Sequence, residues 1–302
     1  MSGMFWSTIS LLFLVLVTNG WAASLKSEAG DPGISAGQSA ADNIEPVPSR
    51  IGLQLMSFLY GPTVGDPGSG LVPTTWTDQV SGVSLQNQIV GRYALNDDLI
   101  LSAAYDFEVL INDPNHVYGS QYVAMTYDSF LKVSYDNLLG AKLGNNWGAL
   151  NADIRGYLPT SEYSRDNGSL GSLRLTLTPN LQIGKSGLSL ALVNFARVWF
   201  ARQAFETQNP SAALPRLMLY TGPLVSYQLT PALSLWALGE ASVTYDTQGV
   251  SNTSQPNRSL VDIEPGLEFK VNQHFTVSPY LNWFIRQPID TTSMNLTASY
   301  SL

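Results

Sequence analysis

From residue 50 to its C-terminus the chain is written in a period of two, the spacing at which successive side chains of an extended strand point to opposite faces of a sheet. Ile51, Leu53, Leu55 and Leu59 share one parity, with Gly52, Gln54 and Tyr60 on the other. Val83, Leu85, Ile89 and Tyr93 alternate with Ser84, Gln86, Gln88 and Arg92. After Asn96-Asp97-Asp98, Leu99, Leu101, Ala103, Tyr105 and Phe107 alternate with Ser102, Asp106 and Glu108, which makes the two runs a hairpin. Further runs follow at Tyr127 to Tyr135, Leu150 to Leu158, Leu173 to Ile183, Leu188 to Phe200 and Leu217 to Leu229, then Leu233 to Tyr245, Val261 to Val271, Phe275 to Ile285 and Met294 to Leu302. The pattern predicts about twelve strands, each near the ~9 to 11 residues that a tilted strand needs to cross a hydrocarbon layer.

Composition decides what such strands can build. Charged residues are 13% of the chain, against ~25% in an ordinary soluble domain. After the first 23 residues no run approaches the ~20 apolar residues of a spanning helix. Hydrophobicity is spread thinly over many short segments, as in a barrel whose strands show lipid every second residue. The connections point the same way. Short turns at 96–98, 184–187, 230–232 and 272–273, with a looser one at 136–147, alternate with polar loops at 61–82, 111–121, 159–170, 202–215, 247–258 and 286–293. Short turns on one rim and long loops on the other are the habit of outer-membrane barrels.

A net charge of −8 argues against a nucleic-acid partner. With no cysteine, the chain has no disulfide, thiolate metal site or lipidated cysteine. The apolar run MFWSTISLLFLVLV at 4–17, followed by Gly20-Trp21-Ala22, predicts a signal peptide over 1–22. Residues 23–48, rich in Ala, Ser, Gly, Asp and Pro and without apolar period, predict a flexible periplasmic segment, with a plug in the lumen as the alternative. The barrel is assigned to 49–302.

At its end the chain alternates Met294, Leu296, Ala298, Tyr300, Leu302 up to the last residue, with Tyr300 third from the end. In this it resembles the bacterial outer-membrane β-barrels, porin-like in class, over about residues 49 to 302. The resemblance implies an all-β, transmembrane, antiparallel up-and-down barrel in a Gram-negative outer membrane. It also implies a C-terminal signal read by the barrel-assembly machinery, although that pattern usually ends in Phe and here ends in Leu302. Two aromatic bands fit the same placement: Tyr93, Tyr135, Tyr227, Phe269, Phe275 and Tyr300 near the short turns, and Tyr105, Phe107, Phe200, Tyr245 and Trp283 near the long loops. Less congruent are Asn87 and Asn194 on the apolar parity, and Pro179, Pro223, Pro265 and Pro279 within strands, where a bulge at each is the expectation.

If the apolar parity meets lipid, the other lines a lumen. Charges within the strands fall there: Arg92, Asp106, Glu108, Lys132, Asp153, Arg155, Arg174, Arg197, Glu240, Asp262, Glu264, Glu268 and Lys270. A Lys or Arg facing lipid at the midplane costs about 2 to 4 kcal/mol, so this sorting is a physical requirement that the register meets. Arg155, Arg174 and Arg197 lie on three consecutive strands, Glu240, Asp262 and Glu264 on two others, and the expectation is of opposed basic and acidic walls filtering ions. Salt-bridge networks bracing a plugged lumen are the alternative. Phe130, Phe195, Trp199, Trp236, Tyr220, Tyr280 and Phe284 share the lumen parity and narrow any pore.

Enzyme readings have little to stand on. His116 and His274 fall at opposite ends of the barrel and cannot share a metal. His116 with Asp113 and Ser120 does not match the histidine and serine spacing of outer-membrane phospholipase A, and Gly184-Lys185-Ser186 lacks the earlier glycine of a phosphate loop. The expectation is a channel for passive diffusion of small polar or ionic solutes, without cofactor or catalytic residues. A closed barrel with a structural or surface role is the alternative, and a hydrolase is the weakest reading. The expected partners are outer-membrane lipid, the assembly machinery and the solutes themselves.

The loop asymmetry generates a topology test. Epitope tags placed in 61–82, 159–170 or 247–258 should be reached by antibody on intact cells, and a tag at 184–187 should not; labelling of the short turn alone inverts the orientation.

Overall fold

The computed structural model describes residues 50–65, 71–73, 80–112, 124–136, 138, 149–166, 168–183, 186–201, 215–246, 261–285 and 288–302. The signal-peptide and 23–48 assignments lie outside the described residues, as does His116. Fourteen strands follow in order. They are β1 (Ile51–Thr63), β2 (Leu71–Pro73), β3 (Val80–Ala94), β4 (Leu99–Asn112), β5 (Ala124–Thr126), β6 (Phe130–Tyr135) and β7 (Leu150–Tyr157), then β8 (Ser169–Gln182), β9 (Leu188–Ala201), β10 (Pro215–Thr230), β11 (Leu233–Asp246), β12 (Val261–Lys270), β13 (Phe275–Phe284) and β14 (Ser293–Ser301).

Twelve staves close an antiparallel barrel. Neighbours in sequence pair in turn from β3 to β14, with β5 and β6 together forming one stave beside β4. Between Thr126 and Phe130 that stave advances four residues while β4 moves three, from Phe107 to Ala104, a bulge that re-aims the strand. The extra strand, β2, pairs with the start of β3 above the long-loop rim. Closure is made by β1 on β14, with Leu55 opposite Tyr300 and Gln54 opposite Ser301. The terminal residue takes part: Leu302 N–H donates to the Leu53 carbonyl at 2.8 Å.

The faces are sorted inside out. Leu131 and Ile154 are 58% and 50% exposed on the outer face, while Gln86 and Arg174 are 2% and 1% exposed on the inner one. A continuous coat of exposed Leu, Ile and Val far exceeds the few hundred Å² of apolar patch that a soluble monomer carries. Among the described residues no helix is long and apolar enough to cross a membrane; the strands cross it. The outer aromatics Tyr93, Tyr135, Tyr227, Phe269 and Tyr300, and Tyr105 and Phe200 toward the other rim, are all exposed as the girdle reading requires.

The turns follow from their side chains. Asn96 Oδ1 accepts from the N–H groups of Asp98 and Leu99 at 3.0 and 2.8 Å, and Asn272 Oδ1 does the same for His274 and Phe275. Gly187, at φ +75°, supplies the left-handed residue of the β8–β9 hairpin. In the 159–170 loop the structure adds a short helix, α1 (Glu162–Asp166), that sequence periodicity does not show. Ser161 Oγ caps it by accepting from Ser164 N–H at 3.1 Å, and Asp128 in the β5–β6 break accepts from both serine hydroxyls.

Two expectations about misfit residues resolve differently. The prolines need no bulge: Pro223 sits opposite Leu192, Pro265 opposite Ala237 and Pro279 opposite Leu296 in uninterrupted register. In an antiparallel ladder a residue directs its N–H to one neighbour, so a proline removes one bond and leaves the other ladder whole. The asparagines on the outer face are satisfied across the strand: Ser57 Oγ donates to Asn87 Oδ1 at 2.8 Å, and Thr221 Oγ1 to Asn194 Oδ1 at 2.9 Å.

Because closure depends on β14, changing Tyr300 and Leu302 together to Asp should open the β1 seam and leave unpaired edges in lipid. Outer-membrane fractions should then lose the folded, heat-modifiable band on gels; a normal amount of that band contradicts the closure described here.

Candidate functional site

The inner surface holds all of the charged residues that the alternation assigns to it. Asp106, Glu108, Arg155, Arg174, Arg197, Asp262, Glu264 and Glu268 are buried within the barrel, Arg92, Lys132, Asp153 and Glu240 are half-buried, and Lys270 is exposed at the short-turn rim. All but Glu268 and Lys270 fall into three groups.

The basic group is ordered by register. Arg92 lies opposite Ser102, Ser102 opposite Lys132, Lys132 opposite Arg155, Arg155 opposite Arg174, and Arg174 opposite Arg197. A single cross-strand row on β3, β4, β6, β7, β8 and β9 therefore carries five cations and one serine. The guanidinium groups lie against aromatic rings. Arg155 sits 5.3 Å from the Phe130 centroid, Arg174 4.9 Å from Phe195 and 5.9 Å from Tyr157, and Arg197 4.0 Å from Tyr157 and 4.5 Å from Trp199. Such contacts are worth about 0.5 to 2 kcal/mol each and fix the plane of each guanidinium. Asp153 Oδ1 lies 3.0 Å from Arg155 Nε, Arg197 Nε donates to Ser172 Oγ at 2.9 Å, and Arg92 donates to Gln54 Oε1.

The acidic group is compact. Glu240, Asp262 and Glu264 bring carboxylate oxygens within 4.8 Å of one another. Tyr220 O–H donates to Glu240 at 2.5 Å, and the Asn282 amide donates to Asp262 at 2.9 Å and Glu264 at 2.7 Å. Among the described residues this is the set whose chemistry suits a hard cation. A third group, Asp106 and Glu108 on β4, faces Gln88 and Gln86 of β3, with Tyr127 O–H donating to Glu108.

The basic and acidic groups are opposed at one end of the row and close at the other: the stave of Lys132 lies six staves from that of Asp262 and Glu264 in either direction. The arginines end at β9 and the carboxylates begin at β11, so β10 alone separates them. Tyr220 bridges the gap: its ring stacks on Phe195 at 4.5 Å and its hydroxyl reaches Glu240. Strand order had suggested opposite walls for Arg155, Arg174 and Arg197; their staves lie five, four and three from that of Asp262 and Glu264, so the opposition is partial.

Glycines make room for this lining. A Cβ on Gly266 meets Trp236 Cζ2 at 2.3 Å, and one on Gly222 meets the Tyr220 hydroxyl oxygen at 2.6 Å, so each ring lies along the wall over a residue with no side chain. Met56, Phe58 and Tyr157 are inward residues that sequence reading did not single out. Parity alone identifies Met56 and Phe58, which follow Gln54 at intervals of two. His274 is exposed at its turn, with Nδ1 2.9 Å from the Ser301 carbonyl oxygen.

No family model matches this chain, and no curated protein matches it by sequence. Among solved structures, the COG4313 outer membrane channel from Pseudomonas putida F1 gives a TM-score of 0.54 at 12% identity, covering 86% of this chain and 98% of that one. The KdgM porin, solved with disordered oligogalacturonate, gives 0.44 at 10% identity over 83% and 99%. The translocator domain of the autotransporter NalP from Neisseria meningitidis gives 0.42 at 7% identity over 87% and 92%. The first of these likenesses is one of fold, the closed outer-membrane β-barrel.

The glycine-for-ring exchange is testable. Gly266→Val should displace Trp236 and cost about 1 to 3 kcal/mol, seen as a lower temperature for loss of the heat-modifiable form. Gly91→Ala, whose Cβ meets nothing within 4 Å, should leave that temperature unchanged; equal effects from both substitutions contradict the packing described.

Proposed function

We propose that the chain is an outer-membrane channel through which small polar or ionic solutes diffuse passively. One observation carries this reading: a barrel with a lipid-type outer coat concentrates its strand charges on the inner face, in separate basic and acidic groups. A barrel needed merely as a lipid-embedded anchor has no use for five cations in one row. A charged lumen with a low-dielectric wall, by contrast, concentrates counter-ions and sorts solutes by sign. The fold shared with a known outer membrane channel supports the same reading.

A closed barrel acting through its loops is a second reading, and one feature favours it. Met56, Phe58, Val90, Ala104, Phe130 and Tyr157 form a buried apolar cluster running along the inner face from β1 to β7. Such a cluster narrows the lumen.

Current through purified protein in a planar lipid bilayer separates the two. Stepwise conductance is expected, with Arg174→Glu moving the reversal potential toward cation preference and Glu264→Arg toward anion preference. Absence of current in the wild type and in both variants contradicts the channel reading and leaves the closed barrel.

A further inference from the structure

The acidic group of the inner wall has no counter-charge. Glu240 of β11 lies directly opposite Asp262 of β12, and Glu264 follows two residues on, an arrangement in which like charges repel. Among the described residues no lysine or arginine pairs with any of the three. Their hydrogen-bond donors are few: Tyr220 O–H gives one bond to Glu240, and the Asn282 amide gives one each to Asp262 and Glu264. Carboxylates drawn this close in a low-dielectric wall are costly unless an opposite charge joins them.

What those donors leave over is a second, separate observation. Asp262 Oδ1 and Glu264 Oε2 are buried oxygens without a hydrogen-bond partner, on residues only 5% and 6% exposed. Asn282 Oδ1, on the amide that grips both carboxylates, is a third. Every orphaned atom of the cluster is an acceptor, so a cation completes it, and carboxylate with amide oxygen is the ligand chemistry of calcium. The position also suits entry of an ion. Asp262 is one residue inside the long-loop end of β12 at Val261, and Glu240 is half-buried, which places the cluster near the mouth of the barrel and leaves one of its members partly open.

We propose that Glu240, Asp262 and Glu264 form a binding site for one divalent cation of the calcium class. Their carboxylate oxygens, within 4.8 Å of one another, are close enough to share a single ion. Tyr220 of β10 and Asn282 of β13 hold the carboxylates of β11 and β12 in place, so a bound ion ties four consecutive staves together near the rim of long loops. It also cancels most of the charge of the acidic group. The site requires no passage through the lumen and stands apart from the channel reading.

The test uses the full-length barrel folded in detergent, stripped with EDTA, and then given calcium chloride or sodium chloride at matched ionic strength and neutral pH. Calcium should raise the temperature at which the heat-modifiable form is lost, and sodium should not. Terbium, which takes oxygen ligands as calcium does, should bind one ion per barrel and emit on excitation of the neighbouring Tyr220, with calcium displacing it. Glu240→Gln and Glu264→Gln should each weaken calcium binding at least about tenfold, since affinity follows the charge of the ligand set. In EDTA these variants should melt no lower than the wild type, because a repelling charge is gone; in calcium the wild type should melt higher. Glu162→Gln, on the exposed surface of α1, should behave as the wild type throughout. If Glu264→Gln fails to fold, Glu240→Gln, at the half-buried side, still decides the matter. A wild type whose melting and terbium emission ignore calcium overturns the site. So does a calcium response that survives undiminished in Glu240→Gln, which marks binding elsewhere on the surface. Neither result touches the channel reading, which the bilayer currents test by themselves.

Discussion

In hydrocarbon no water satisfies a backbone N–H or C=O, and each one left unpaired costs several kcal/mol. Everything else in this barrel depends on that demand. Strands in lipid have to find partners on both sides, which a sheet achieves by closing on itself. The β1–β14 seam is where this happens, and the chain's last residue, Leu302, is spent on it. A barrel whose first strand begins on the rim where its last strand ends closes with an even number of staves, and twelve are found.

Closure then fixes the faces. With a side-chain period of two, a slip of one residue in any stave sends its apolar set inward and its charges into lipid. The penalty for each misplaced Lys or Arg makes the register self-enforcing, because β6 to β9 each carry a cation on the inner parity. The same constraint explains how outward asparagines and in-strand prolines are tolerated. Asn87 and Asn194 find cross-strand hydroxyl donors, and each proline forfeits a bond on one side of its strand while the ladder on the other side holds its register. Lining the lumen is a separate packing problem, solved locally by Gly222 and Gly266, which lend their volume to Tyr220 and Trp236.

Much of the fold was legible in the sequence because parity, strand length and turn chemistry are local. Asn96, Gly187 and Asn272 mark their turns, and the inner or outer assignment of every strand charge follows from counting by two. What was not legible is relational. That Lys132 faces Arg155 and Arg155 faces Arg174 depends on hairpin registers that looser connections such as 136–147 do not encode, so a scatter of basic residues did not show itself as a row. Strand order alone separates Arg197 from Glu240 by one intervening stave; what it does not show is that Tyr220 of that stave, β10, links the two groups. Helix α1 stayed hidden because its support comes from Asp128, on a different part of the chain.

The alternation of lipid and lumen along a single stave is the claim from which the channel, the basic row and the sorting of charges all descend. With no native cysteine in the chain, nitroxide labels can be placed one at a time from Ser172 to Thr178 of β8 in a lipid bilayer. Collision with oxygen, which partitions into lipid, should peak at Leu173, Leu175 and Leu177 and fall at Ser172, Arg174, Thr176 and Thr178. A uniform profile, a helical period, or peaks at the even-numbered positions would contradict the barrel as described.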